Sequence, residues 1–330
     1  MAALKVGVIG TGHLGSLHAK LWKDVPSAVL AGVFDVNEMR CAEVARETKS
    51  RAFASLGALL AAVDAVSVVT PTSTHAAIAG EAIAAGKHVF IEKPITRTEE
   101  EAGALIRAAK EKKVKIQVGH IERFNPAILA LESYRIRPMF VESHRLAQFD
   151  PRSTDVDVVL DLMIHDIDII VSLVGSPVEK VDANGVAVVS ENLDIANARI
   201  QFANGCVANV TASRISQKKM RKMRLFQRDA YISVDFLAGE SEVFRMTDGP
   251  DAGPGSTKKL GEIRTGSGKK TIVYQKPKIK KINPLGYELA QFVNAILLDK
   301  DPPVTGEDGL LALNVAHRIL ASIREQKLPA

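Results

Sequence analysis

The residues LKVGVIGTGHLG (4–15) decide the fold. Leu4, Val6, Val8 and Ile9 form a short apolar run of strand length, without the in–out alternation of a half-exposed strand, as in a parallel sheet covered by helices on both faces. Gly10, Gly12 and Gly15 follow at G-x-G-x-x-G spacing, and the next residues take up helical periodicity. Glycines at such a junction allow a tight turn and a close approach of backbone to a pyrophosphate. The helix N-terminus at His13 and Leu14 adds N–H groups and positive dipole. A glycine-rich turn in a sheet without cofactor is the ordinary alternative, and context decides against it: the motif opens the first strand–helix unit, and Asp35 ends the second strand twenty residues past Gly15. Asp35 can accept hydrogen bonds from adenosine ribose hydroxyls and would repel a 2′-phosphate. That favours NAD. Arg40 softens the exclusion, so NADP is not excluded.

Working outward, LKVGVIG, AVLAGVFD, DAVSVVT, KHVFIEK and KVKIQVG read as strands. HLGSLHAKLWKDV, VNEMRCAEVARET, SLGALLAA, STHAAIAGEAIAAG and RTEEEAGALIRAAKEK between them have helical apolar spacing. Such alternation predicts an α/β fold: an N-terminal Rossmann-type doubly wound parallel sheet over residues 1–120. The remainder, 121–330, reads as an α+β domain. One long helix is expected around 156–174. The strand-like runs PVEKVDANGVAVV, ANARIQFA, CVANVTAS, MRLFQR, AYISVDF and TIVYQK then suggest a largely antiparallel sheet, with a turn at ANG (203–205). DGPDAGPGST (248–257) is a Gly/Pro-rich loop. Two helical patterns, 283–299 and 306–326, close the chain, the last able to pack back on the first domain.

The 330 residues suffice for two cores, and 46% hydrophobic with 25% charged residues excludes a disordered chain. MAALKVGVIG runs directly into a strand pattern, so no leader is expected. The longest apolar run is broken by acids and a histidine, so no membrane span is expected either. Cys41 and Cys206 make neither a disulfide framework nor a metal spacing, and the expected compartment is the cytoplasm. The net charge of +5 is concentrated in RISQKKMRKMRLFQR (214–228) and between KKLGEIR and KPKIKK (258–281). These runs hold one aromatic each, Phe226 and Tyr274, and no zinc-finger or RNA-binding signature, which argues against nucleic acid. A solvated face and a wall for an anionic small substrate both fit them.

Three further stretches carry chemistry. VVTPTSTH (68–75) ends a strand at the ligand-binding edge of such a sheet, so Thr70, Thr72 and His75 can line the nicotinamide half, with helix capping by Ser73 or Thr74 as the plainer reading. FIEKP (90–94) ends the next strand. The proline holds the preceding backbone extended, a cis bond is open to it, and Lys93 is aimed into the crevice beside Glu92. LDLMIHDIDII (160–170) is an apolar helix pattern interrupted by Asp161, His165 and Asp168, which at spacings of four and three share one face. Buried ionisable groups need partners. The stripe is satisfied internally, or it lines a cleft that a ligand completes. A metal at Asp161 and His165 lacks a third ligand, so none is assigned.

GTGHLG, TPTSTH, EKP and DLMIH, in this order and at these intervals, resemble the glucose–fructose oxidoreductase/inositol dehydrogenase/MocA (Gfo/Idh/MocA) family over essentially the whole chain. The resemblance implies a catalytic group of Lys93, Asp161 and His165, and an open second-domain sheet that makes a homodimer or homotetramer. In such a dehydrogenase a substrate hydroxyl loses a proton while its carbon loses a hydride to nicotinamide. An imidazole, with an ordinary pKa of ~6.5, can take the proton at His165. Asp161 can stabilise the charged ring, and Lys93 the developing charge on oxygen. Asp168 has either a part in this or a structural one. VGHIERFNP (118–126) follows the last strand of the first domain, so His120, Arg123 and Asn125 are expected to reach the substrate. Together with LDLMIHDIDII it is similar to the branch acting on UDP-N-acetylhexosamines, whose diphosphate the basic runs and Arg123 would suit. The rival readings are a free polyol (inositol-type) dehydrogenase and a silent dinucleotide sensor, which needs the glycine loop but not Lys93 and His165.

Overall fold

A computed structural model describes residues 3–150, 156–248, 256–265 and 268–325. The chain divides into two compact units, residues 1–121 with 282–313, and residues 122–281 with 314–330.

In the first unit the chain runs β1 (Leu4–Ile9), α1 (His13–Trp22), β2 (Ala28–Phe34), α2 (Glu38–Thr48), β3 (Arg51–Ala52), α3 (Leu56–Leu60), β4 (Ala65–Val68), α4 (Thr72–Ala84), β5 (His88–Glu92), α5 (Glu99–Lys112) and β6 (Ile116–Gly119). The strands pair in parallel in the order β3-β2-β1-β4-β5-β6. The order reverses between β1 and β4, the point at which doubly wound sheets bind ligands outside their carboxyl ends. All four residues of β4 and of β6 are buried, as expected of strands covered on both faces. The helices start on local signals: Asn37 accepts from the Arg40 N–H, and Thr98 and Glu101 form a reciprocal capping box. β3, two residues long, has too little pattern to read in the sequence.

A 3-10 turn (Ile121–Phe124) begins on the last residue of the first unit's opening segment and leads, in the second unit, to α6 (Pro126–Leu129) and β7 (Phe140–Leu146). The helix expected over 156–174 is two pieces. Val159–Met163 form a wide π-helical turn, and the α-helix proper, α7, is Ile164–Val174. The strands β8 (Val178–Val186), β9 (Ile195–Phe202), β10 (Val207–Ser213), β11 (Met220–Phe226), β12 (Ala230–Asp235), β13 (Glu240–Thr247), β14 (Ser256–Thr265) and β15 (Gly268–Lys276) follow. Their sheet order is β14-β15-β13-β12-β11-β7-β10-β9-β8. Pairing is antiparallel except between β7 and β10, which run parallel, so the sheet is mixed at its centre. The ANG turn joins β9 to β10 with Gly205 at φ +84°. β7, β13 and β14 are strands that the sequence reading passed over. Residues 249–255 of the Gly/Pro-rich loop lie outside the described residues.

The chain closes with α8 (Pro284–Leu297) and α9 (Gly306–Glu325). α8 belongs to the first unit, where Leu289, Phe292 and Val293 join Val6 and Val8 of β1 and Trp22 of α1 in one core. α9 counts with the first unit up to Leu313 and with the second from Asn314. None of the described helices is long and apolar enough to cross a membrane.

Candidate active site

In the first unit the expected cofactor residues gather at the carboxyl ends of β1, β2, β4 and β5. Gly10 takes φ +91°, and a Cβ there would meet the Val69 carbonyl oxygen at 2.4 Å. A Cβ on Gly15 would stand 1.9 Å from the Gly10 carbonyl oxygen, because α1 is pressed onto the end of β1. Around Gly12 there is open space instead, and Gly12 caps α1 with no side chain bound to its N–H groups. His13 and Leu14, the first helical residues, are exposed. This bare helix N-terminus fits a pyrophosphate.

Thr11, which the sequence reading left unassigned, organises the adenosine end. Its N–H and hydroxyl both donate to Asp35 Oδ2, at 2.5 and 2.9 Å, and the Asn37 N–H donates to Oδ1 at 2.8 Å. Burial alone would raise the Asp35 pKa, but these donors and the Arg40 charge outweigh it and hold the carboxyl below its usual value. Asp35 is therefore ionised throughout the neutral range. Arg40 gives Nε–H to the Thr11 carbonyl and Nη1 to Glu43, which commits it to the scaffold. From this charge we predict tighter binding of NAD than of NADP, and a preference narrowed about tenfold, or about 1.4 kcal/mol, in Asp35→Ser. Titration of both cofactors checks it, and tighter NADP binding by the unaltered protein would overturn it.

Other assigned residues serve the scaffold. His75 is buried with Nδ1 2.9 Å from the Pro94 carbonyl oxygen and Nε2 2.9 Å from that of Thr70, so it braces the loop after β4 against the loop after β5. Both of its ring nitrogens are engaged by backbone carbonyls. Nor do Ser73 or Thr74 cap α4: the cap position is Pro71, and the Thr74 hydroxyl bonds the Pro71 carbonyl and the Thr70 hydroxyl. Thr70 and Thr72 stay half-buried at the strand edge. Glu92 Oε1 is 3.0 Å from Nε2 of the buried His18, and Oε2 receives the Lys93 N–H at 3.3 Å. Glu92 thus fixes the backbone that carries Lys93. Lys93 is half-buried, and its bond to Pro94 is cis.

In the second unit the acids of α7 separate into two kinds. Asp168 is fully buried and accepts from Arg123 Nε and Nη2, both at 2.7 Å. Asp166, not singled out in the sequence, accepts from Arg145 Nε at 2.8 Å and Nη2 at 3.0 Å, while Arg145 Nη1 donates to Glu122 at 2.6 Å. Burial works against the Arg145 charge, but the Asp166 and Glu122 carboxylates more than offset it and raise its pKa above the usual guanidinium value. Asp161 and His165 are half-buried, on the π turn and on the first turn of α7. π turns recur at functional sites.

Two residues expected at the substrate have partners within the second unit. Asn125 caps α6 through Oδ1, and its Nδ2 donates to Glu122 and to the Phe236 carbonyl, which uses both of its amide donors. Arg123 is forked onto Asp168. His120, at the end of β6, is buried in the first unit.

The run 214–228 is two patches, not one. Arg214 is buried and bonds the Val156 and Leu193 carbonyls. Lys219 and Arg221, together with Asp161, Gln148 and Phe149, line a cleft of about 500 Å³. Arg228 lies past the other end of β11, seven residues or about 23 Å along an extended chain from Arg221, and lines a different cleft.

Residues 4–120 match the model of an oxidoreductase family with an NAD-binding Rossmann fold, and residues 131–233 that of the GFO/IDH/MocA C-terminal domain. The chain is 41% identical over 324 residues to UDP-N-acetylglucosamine 3-dehydrogenase of Acidithiobacillus ferrooxidans, covering 98% of each. The chain belongs to the Gfo/Idh/MocA family. A solved structure of that Acidithiobacillus ferrooxidans enzyme matches with a TM-score of 0.87 at 40% identity, over 98% of this chain and 99% of the other. Myo-inositol 2-dehydrogenase of Thermotoga maritima, 25% identical over 98% of this chain and 97% of its own length, is a more distant relative. As a Gfo/Idh/MocA member the protein is an NAD-dependent oxidoreductase acting on sugar CH–OH groups.

Proposed function

We propose that the protein oxidises a ring hydroxyl of a UDP-N-acetylhexosamine, with Lys93, Asp161 and His165 as the acid–base group. The observation that carries this reading is the cleft at Asp161. Its lining includes Lys219 and Arg221, suited to a diphosphate, beside the buried Arg214, and Phe149, 41% exposed, suited to a base or sugar ring. A free polyol offers such cations only neutral hydroxyls, without the charge of a diphosphate. The 41% identity to an enzyme named for a UDP-sugar agrees with it.

NAD, when bound, accepts the hydride from the sugar carbon. The chain's own residues handle the proton: His165 takes it from the hydroxyl, Asp161 stabilises the imidazolium so formed, and the Lys93 ammonium donates to the same oxygen as charge builds. Gly12 and the first turn of α1 would hold the pyrophosphate of NAD, and Asp35 its adenosine ribose. The reading extends to a cytoplasmic homo-oligomer. Support for association comes from the sheet of the second unit, where Phe140, Phe226, Tyr231, Phe244 and Tyr274 form a half-buried row across adjacent strands, with ring centres 5.0 to 5.9 Å apart. Both cysteines are unpaired, as a reducing compartment allows.

The test is a screen for NADH formation with UDP-N-acetylglucosamine and free inositol. Turnover of the UDP-sugar, with UDP competing against it, is expected. In Lys219→Ala/Arg221→Ala the KM for the UDP-sugar should rise about tenfold or more while kcat changes little, because the cations bind the diphosphate equally in ground and transition states. Turnover of inositol that UDP does not inhibit would replace this reading with the polyol one.

A further inference from the structure

We propose a second anion-binding site in the second unit, formed by Arg135, Arg137, Arg228 and Arg245 and suited to a small phosphorylated molecule. These side chains line a cleft of about 720 Å³ between the segment before β7 and the near ends of β12 and β13. That volume falls in the ordinary range of small-molecule sites, about 300–1,000 Å³.

Charge is the first argument. Four guanidinium groups face one carboxylate, Asp229, whose nearest oxygen is 3.8 Å from Arg245 Nη2. Elsewhere on the same sheet the cations are matched across strands: Lys222 with Asp235, Arg224 with Glu142, Lys276 with Glu240. Among the described residues no carboxylate lies within ion-pair distance of Arg135, Arg137 or Arg228. Like charges gathered this way repel, and a bound anion relieves the repulsion.

Rigidity is the second. The Gln227 amide ties the two walls together. Its Oε1 accepts the Arg137 N–H at 2.9 Å, and its Nε2 donates to the Arg135 carbonyl at 3.3 Å and to Asp229 Oδ1 at 2.9 Å. The Met139 N–H bonds the Phe226 carbonyl at 2.8 Å just beyond. The arginines therefore project from backbone that is already held, which lowers the ordering cost of binding. The exposed Met139 and the half-buried Tyr134 give an apolar surface beside the charges. A forked guanidinium suits phosphate better than a lysine would, and every cation in this cleft is arginine.

Isothermal titration of the full chain, saturated with NADH, with inorganic pyrophosphate tests the site. One saturable site is expected that survives in Lys219→Ala/Arg221→Ala and weakens about tenfold or more in Arg135→Ala/Arg137→Ala. Both arginines are exposed, so that variant should melt with the unaltered protein and keep its dehydrogenase rate. In Arg135→Lys/Arg137→Lys, which keeps the charge without the fork, affinity should fall between the two. No saturable binding at millimolar pyrophosphate would overturn the proposal. So would binding indifferent to Arg135 and Arg137, or binding lost instead with Lys219 and Arg221, which would assign the anion to the cleft at Asp161.

Discussion

Replacing His165 with alanine is expected to lower kcat for hydroxyl oxidation by roughly two to four orders of magnitude, with Lys93→Ala in the same range and NAD affinity much less affected in both. The two residues have different chemistry but are proposed to serve one proton transfer. An unassisted hydroxyl holds its proton too tightly to release it as the hydride leaves. In the proposed mechanism His165 removes the proton and Lys93 stabilises the oxygen from which it goes, so loss of either should leave the other acting on a poor transition state. The double substitution should therefore cost less than the product of the single effects. A histidine accepts a proton only when neutral, so oxidation by the unaltered protein should weaken on acidification, and the residual rate of His165→Ala should lose that limb of its pH profile. Asp161→Asn should fold and bind NAD but turn over more slowly, since an amide supports an imidazolium less well than a carboxylate. Near-normal turnover by folded, NAD-binding Lys93→Ala or His165→Ala would remove the mechanism.

The Rossmann half was legible because its signals are local. Apolar strands, helical spacing and the 10-12-15 glycines each need only a window of residues. In the second unit, signals that depend on distant partners were lost. β7 reads FVESHRL, a mixture of charged and apolar residues, and was passed over. Its inward positions nevertheless include Ser143 and Arg145, and Arg145 is tolerated there only because Asp166 and Glu122 meet it from elsewhere in the chain. The same limit governs the acids of 160–170. Sequence spacing joined Asp168 to Asp161 and His165 as one stripe, but the arginine that claims Asp168 lies forty-five residues earlier. Polar residues beside a crossover, such as Arg123 and Asn125, look free in the sequence. Their partners, Asp168 and the Phe236 carbonyl, are remote in sequence. Lys219 and Arg221 were within reach only as members of a basic run, whose division by β11 no composition reveals.

That lattice of buried ions is where a single substitution should cost the most stability. Arg145 is 2% exposed and satisfies Asp166 and Glu122 together, with its guanidinium 5.5 Å from the Phe236 ring centre. Arg145→Met keeps much of the side-chain volume but leaves both carboxylates without their buried cation. Arg221, whose Nη1 is 3.4 Å from Glu122 Oε1, reaches only one of them and is itself 40% exposed. Breaking a buried pair from one side costs about 3–5 kcal/mol, because an uncompensated charge remains. At about 2–4 °C per kcal/mol for a unit of this size, the melting temperature should drop by roughly 10 °C. Removing all the charges together is a different case. Arg145→Met/Asp166→Asn/Glu122→Gln deletes the attraction and the desolvation cost at once, and should recover a large part of the loss. Activity separates stability from positioning. Asp166 follows His165 directly, and its fork to Arg145 fixes the first turn of α7 against β7. At a temperature where both variants are folded, the triple variant should therefore keep its KM and lose kcat, because His165 is aimed less well. A melting temperature for Arg145→Met within 2 °C of the unaltered protein would show that water reaches these carboxylates, and that the lattice does not hold α7.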